Sequence, residues 1–266
     1  MSDVASDRRH RFHEMHAEGL FVIPNPWDVG SARLLVSLGF PALATTSSGH
    51  AATLGKRDQH ATLDELVEHC TLITAAVDVP LNVDSEYCFA DDLAGISRTV
   101  DRIAGSGAAG LSIEDFDPAA RRIDPVDKST ERVAAAAEAA RRHGLVLTAR
   151  AENHVYGVDD LDDTVARLSS YREAGADVVY APGLVDLDDI ARVVGVGAPV
   201  NVLARANGPS VAELAAVGVR RVSTGGGLAR AAYSALLVAG RELADAGTST
   251  YLAEALAFSD IAAAFD

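Results

Sequence analysis

The stretch LNVDSEYCFADD, residues 81–92, is an apolar run that stops at Asp84 and Glu86 and then meets two more acids. Glu114 closes a second apolar run, and Asp58 lies in the loop after another. Carboxylates are hard oxygen donors. Asp84, Glu86 and Glu114, with Asp58 approaching from the side, suit Mg²⁺ or Mn²⁺, ions that accept few direct carboxylates and keep waters that outer carboxylates hold. The alternative is that these acids cap helices or pair with arginines. Four acids at one rim repel one another unless a cation joins them, which favours the metal.

Arg150 ends the run LVLTAR, where a guanidinium can clamp a carboxylate or phosphonate through two parallel hydrogen bonds. Its plainer role is a salt bridge to Glu152 or Glu114. The segment TTSSGHAATLG, residues 45–55, offers hydroxyls and backbone amides for an oxyanion. STGGGLAR, residues 223–230, has the form of a phosphate cradle, or of glycines that merely let a strand turn into a helix. His50 and His154 could move protons or simply pack, and Cys88 is either a thiol acid or a small buried filler. The only lysines are Lys56 and Lys128, neither in an apolar run, so Schiff-base aldol chemistry has no lysine to use.

These groups need a scaffold that converges them. Eight short apolar runs alternate with helical patterns: 20–24, 41–45, 79–84, 109–114, 145–150, 177–182, 199–204 and 219–224. The stretches 28–38, 62–77, 91–105, 127–143, 159–174, 186–194 and 210–217 read as helices, several opening on Asp, Thr or Ser caps. Eight such units predict a single (β/α)8 TIM barrel over residues 1–266, in which the site lies at the C-terminal ends of the strands. Asn25, Trp27, Thr46 to His50, Pro182, Arg205, Asn207 and Thr224 fall at the same ends. Two further helices follow, at 226–246 and 250–265, and the last has an apolar face that must be buried on this barrel or a neighbour's.

A formal net charge of -15 argues against nucleic acid as a partner. The two cysteines, Cys70 and Cys88, have no metal-ligand spacing and fit a reducing cytoplasm. The N-terminus has no apolar core of a signal peptide, and no stretch is long enough to span a membrane.

Taken together and in order, NPWDVGSARLLVSLGFPALATTSSG, NVDSE, GAAGLSIED, ARAEN, GADVVYAPG and RRVSTGGGLARAAY resemble the isocitrate lyase/phosphoenolpyruvate mutase superfamily over nearly the whole chain. That resemblance implies a barrel with an exchanged final helix, here 250–265, and a homotetramer built as a dimer of helix-swapped dimers. It implies a Mg²⁺ site for small α-keto or 2-hydroxy carboxylates. Asp84 would be the direct metal ligand, while Asp58, Glu86 and Glu114 would hold metal waters. Ser47, Ser48 and Gly49, with Trp27 beside them, would bind substrate oxygens, and Arg150 matches the substrate clamp. Arg150, Glu114 and Asp58 are the expected catalytic groups.

The departures narrow the chemistry. DFDPAARRIDPVDK, after Glu114, lacks the cysteine-bearing segment of the isocitrate and methylisocitrate lyases and the Asn-containing gating loop of the mutase. Cys88, Phe89 and Ala90 stand where relatives carry Gly-Tyr-Gly. The expected activity is C–C cleavage by a lyase, or by an oxaloacetate-type decarboxylase or hydrolase, through an enolate. A P–C mutase relative and a non-catalytic dicarboxylate binder are the alternatives.

Overall fold

The computed structural model describes residues 3–265. Helix α1 (Asp3–Met15) precedes the first strand and was not anticipated, because DVASDRRHRFHEM is polar apart from a few positions. It is held by long-range bonds: Arg8 donates to the carbonyls of Thr74 (2.8 Å) and Val77 (2.7 Å), and Arg9 to those of Ala108 (2.9 Å) and Ala104 (2.6 Å). Phe12 is thereby driven into the barrel floor, against a cluster that includes Ile23, Ala44, Val146 and Val178. One end of the barrel is plugged. Only the other end is open for a site.

The barrel strands are β1 (Phe21–Ile23), β2 (Leu43–Ala44), β3 (Leu81–Asp84), β4 (Gly110–Glu114), β7 (Val146–Arg150), β8 (Val178–Tyr180), β9 (Val200–Leu203) and β10 (Arg221–Ser223). Each lies inside one of the eight predicted runs. They pair in parallel in the order β1-β10-β9-β8-β7-β4-β3-β2. Closure between β2 and β1 rests on Ala44 N donating to Pro24 O at 3.1 Å and Asn25 Nδ2 to Thr45 O at 2.7 Å. The fold is the expected (β/α)8 barrel.

Between strands run α2 (Val29–Ser37), α4 (Leu63–Ala76), α5 (Leu93–Gly105), α6 (Val126–His143), α7 (Leu161–Glu173), α8 (Leu187–Val194) and α9 (Val211–Ala216). Asp28, Thr62, Asp92, Asp160, Asp186 and Ser210 cap their first turns, as the sequence signals require. Two elements lie where a loop was expected. Residues Ser47–Thr53 form α3, started by Thr46 accepting from Gly49 N, and the segment after Glu114 folds as a hairpin of β5 (Phe116–Asp117) and β6 (Arg122–Ile123).

Helix α10 (Gly227–Ala246) follows β10 and is stopped by Gly247 in the left-handed region. The predicted single helix at 250–265 is instead a 3-10 turn (Thr250–Glu254) and α11 (Phe258–Phe265), separated by Ala255 in extended conformation. The Glu242 carboxylate accepts from Thr250 N at 2.5 Å and Thr248 Oγ1 at 2.7 Å, tying the start of the segment back to α10 and interrupting the helix. Within the chain α11 rests on α2, where Arg33 donates to the Phe265 carbonyl. Much apolar surface stays uncovered on this tail, including Leu236, Leu237, Leu256 and Phe258, the last 93% exposed.

Candidate active site

Strand register sets the acids beside the arginine: Asp84 on β3 lies opposite Ser112 on β4, and Glu114 on β4 opposite Arg150 on β7. Arg150 is the hub. Its Nη1 is 2.7 Å from Asp84 Oδ1, its Nη2 3.2 Å from Glu114 Oε2, and its Nε 2.7 Å from Glu152 Oε1. The salt bridges weighed for Arg150 therefore both form, with a third to Asp84. Burial works against the Arg150 charge, but Glu152, Glu114 and Asp84 outweigh it and hold the guanidinium well above the ordinary arginine range.

The acids remain under-compensated. Burial, then the charges of Asp84 and Asp58, push Glu86 up to about 8, with Arg150 opposing. Burial raises Glu114 and Glu152 as well; Arg150 pulls both down, and neighbouring carboxylates add repulsion. Asp58 stands exposed on the rim, yet desolvation by the surrounding wall and the Asp84 charge still raise it. Five carboxylates, Asp58, Asp84, Glu86, Glu114 and Glu152, thus share one guanidinium.

This imbalance of hard oxygen donors fits a small divalent cation. Among the described residues no three His, Cys, Asp or Glu side chains are set to coordinate a metal directly. That is consistent with one direct carboxylate and outer acids acting through water. Asp84 Oδ2 accepts from Ser47 N at 3.1 Å, and its Oδ1 accepts from Ser112 Oγ at 3.4 Å.

The turn that carries Glu86 is bent hard. Glu86, Cys88 and Phe89 have φ of 49°, 66° and 51°, in the left-handed region that favours glycine. Here Cys88 N donates to Ser85 O at 2.7 Å, and Arg132 donates to the carbonyls of Tyr87 (2.6 Å) and Ala90 (2.9 Å), holding the turn shut.

A cavity of about 210 Å³ opens at this end of the barrel, lined among others by Ser47, Ser48, Asp58, Asp84, Arg150 and Glu152. Trp27 and Gly49 do not line it. Gly49 lies two residues beyond Ser47 on α3, about 200° round the helix, and faces inward. A Cβ there would sit 2.5 Å from Thr46 Cγ2 and 3.0 Å from Trp27 Cβ. Trp27 instead lines a neighbouring cleft with His50. Glu86 and Glu114 sit behind the cavity wall, buried.

Several expectations resolve toward packing. Gly225 N is consumed by Asn25 Oδ1 at 2.9 Å, and a Cβ on Gly226 would meet Ser48 Oγ at 2.5 Å, so these glycines allow close approach rather than form a phosphate cradle. Cys88 is fully buried in the core, its thiol pushed up to about 11 by burial. His154 pairs with Thr164 (3.1 Å) and Asp159 (3.3 Å) away from the cavity. His50 stacks on His69 with ring centroids 4.0 Å apart. Arg205 and Asn207 are exposed and do not reach the cavity.

The structure also adds residues. Tyr180 lines the cavity, its phenol pushed up to about 12 by burial. Gln59 donates to Glu114 Oε1 (3.2 Å) and Tyr156 Oη (3.2 Å), and Tyr156 stacks flat on Phe116 at 3.5 Å, joining three loops. Glu152, considered only as a salt-bridge partner, is as central as Glu114. Its signal was its position two residues after Arg150.

With that geometry in view, the phosphoenolpyruvate phosphomutase family description matches residues 12–244. The chain belongs to this family, within the isocitrate lyase/phosphoenolpyruvate mutase superfamily. A solved Burkholderia cenocepacia structure, provisionally described as a lyase/mutase, is 46% identical, with 98% of this chain and 97% of that one covered and a TM-score of 0.94. Oxaloacetate decarboxylase 1 of Pseudomonas putida is 29% identical over 88% of this chain and 82% of its own length. The structure of 2,3-dimethylmalate lyase, another superfamily member, is 25% identical with a TM-score of 0.85, over 99% of this chain and 95% of that one. Members so named break carbon–carbon bonds, and the family's shared scaffold is the barrel described above.

Proposed function

We propose that the protein is a Mg²⁺-dependent enzyme that cleaves a C–C bond in a small α-keto or 2-hydroxy carboxylate, of the lyase or oxaloacetate decarboxylase/hydrolase type. The observation that carries this is the surplus of carboxylates around Arg150 in a small polar cavity, supported by similarity to an oxaloacetate decarboxylase and a dimethylmalate lyase. Mn²⁺ would serve the same donors.

Asp84 would hold the metal, with Asp58, Glu86 and Glu114 holding its waters, and the ion would supply Lewis acidity toward a keto or hydroxyl oxygen. Ser47 and Ser48 orient the substrate carboxylate. Arg150, released from part of its acid network, meets the negative charge that develops as the C–C bond breaks toward an enolate. Tyr180 lines the same cavity and, pushed up by burial, stays protonated at neutral pH, so it can offer a hydrogen bond to the substrate. The acids Glu114 and Glu152 keep Arg150 charged and aimed.

A panel of oxaloacetate, substituted malates, citramalate and phosphonopyruvate, each with and without Mg²⁺, tests the activity. Metal-dependent turnover of a keto or hydroxy acid is the expected result. Turnover of phosphonopyruvate alone would favour P–C chemistry, and absence of all turnover a binder. Calorimetry should show Mg²⁺ binding abolished in Asp84→Ala; unchanged binding would remove Asp84 from the metal site.

The assembly we infer is a homotetramer in which 250–265 packs on a second copy. Its support is the apolar surface left open on Leu252, Leu256 and Phe258. Truncation after Gly247 should give an aggregating product, and a well-behaved protein of unchanged oligomeric mass by light scattering would refute the exchange. No helix among the described residues is long and apolar enough to cross a membrane. Two free, buried cysteines fit a cytoplasmic setting.

A further inference from the structure

The floor of the cavity holds a positive charge that the chemistry above does not use. Arg221 opens β10 and is 3% exposed. Its Nε donates to Asn201 Oδ1 at 2.9 Å, its Nη2 to Thr148 Oγ1 at 2.9 Å, and its Nη1 lies 3.3 Å from His16 Nε2. All three partners are neutral, since burial pushes His16 down to about 3. No carboxylate among the described residues forms an ion pair with Arg221, whereas the nearby Arg150 has three and Arg167 has two. Burial lowers Arg221 to about 10, so it is still charged at neutral pH.

A buried guanidinium without a counter-ion carries a large desolvation cost, which an anion reaching it would offset. Three of its five N–H groups are accounted for by these contacts. Arg221 and Thr148 both line the cavity that also reaches Asp84 and Arg150. Thr148 precedes Arg150 by two residues on β7, so the second guanidinium sits one inward-facing layer lower, roughly 6–7 Å along the strand.

We propose that Arg221 forms a floor subsite for the distal carboxylate of a dicarboxylic 2-keto or 2-hydroxy acid, whose other end lies at Asp84 and Arg150. The inference rests on the substrate class proposed above and adds what distinguishes one member from another. Arg221 is here a binding residue that sets specificity, and Thr148 and Asn201 aim it.

The test compares malate with 2-hydroxybutyrate, which differ in a distal carboxylate against a methyl group, by calorimetric titration in the presence of Mg²⁺. Wild type should bind malate at least tenfold more tightly. Arg221→Met should erase that preference while 2-hydroxybutyrate affinity stays within twofold, and Arg221→Lys should keep part of it. Thr148→Val, nearly isosteric, should shrink the preference at least threefold, and serves if Arg221→Met does not fold. Equal loss of both ligands, or a preference that survives in Arg221→Met or is unchanged in Thr148→Val, would overturn the subsite. Equal wild-type affinity for the two acids refutes this inference alone. Binding of neither refutes the substrate class as well.

Discussion

Arg132 is expected to control the proposed metal site from outside it. It extends from α6 with 3% of its surface exposed, donates to the Tyr87 and Ala90 carbonyls at 2.6 and 2.9 Å, and stacks 3.5 Å above the Tyr87 ring. The turn it grips contains three non-glycine residues in the left-handed region, each costing about 1–2 kcal/mol. Arg132→Met removes the donor and leaves one buried and one part-buried carbonyl unpaired, at up to about 1–3 kcal/mol each, and it forfeits a cation–π contact worth up to about 2 kcal/mol. These losses are not additive, and the methionine recovers some packing. The expected destabilisation is about 3–5 kcal/mol.

The same change should reach the acids, because Glu86 belongs to that turn and its carbonyl accepts from Glu114 N at 3.0 Å. Once the turn relaxes, Glu86 leaves its place, and Mg²⁺ affinity should fall at least tenfold, or about 1.4 kcal/mol. Urea unfolding followed by circular dichroism gives the first quantity and calorimetric Mg²⁺ titration the second. Arg132→Lys, with a point charge in place of a fork, should fall between. A loss below about 1 kcal/mol together with unchanged Mg²⁺ affinity would refute the argument that Arg132 holds the turn.

Burial, with the His50 charge adding, pushes His69 down to about 3, so between that value and about 6.5 the unfolded chain binds a proton that the folded chain refuses. The stability of wild type relative to His69→Phe should therefore fall as pH drops below about 6.5, by up to about 1.4 kcal/mol per unit; a flat difference from pH 7 to 4 would contradict this. Gly110→Ala places a Cβ 2.7 Å from Phe12, 2.8 Å from Val146 O and 2.9 Å from Asn82 Oδ1, where backbone cannot give way. It should cost at least about 2 kcal/mol, and a wild-type melting temperature would show that the floor is looser than it looks. Arg150→Lys keeps the charge but loses the fork that spans Asp84, Glu114 and Glu152, so kcat/KM should drop at least tenfold; kinetics within twofold of wild type would end the clamp role.

The barrel was legible because its strands are short apolar runs whose boundaries the caps announce. What escaped was held by distant partners. Helix α1 carries little apolar surface of its own, and Arg8 and Arg9 anchor it on carbonyls more than sixty residues away, which no local pattern reports. In TTSSGHAATLG the small residues hide a helical turn, because α3 is defined by the Thr46 cap rather than by an apolar stripe. The acids and Arg150 could be placed at strand ends, but their mutual neutralisation depends on the β3, β4 and β7 register, which the runs alone do not specify.

The floor left a trace that goes beyond the strand ends. Strands of a parallel barrel are usually apolar on both faces, since helices cover one side and the packed interior fills the other. Here polar side chains recur at every second residue: Asn82 and Asp84 on β3, Ser112 and Glu114 on β4, Thr148 and Arg150 on β7, Arg221 and Ser223 on β10. In a strand a period of two places both members of each pair on one face. Burial of Asn82, Ser112, Thr148 and Arg221 in the lower layer makes that face the barrel interior. The alternation therefore marks a cavity that runs down from Asp84 and Arg150 to Arg221, and a substrate with polar groups at both ends is the molecule such a depth suits.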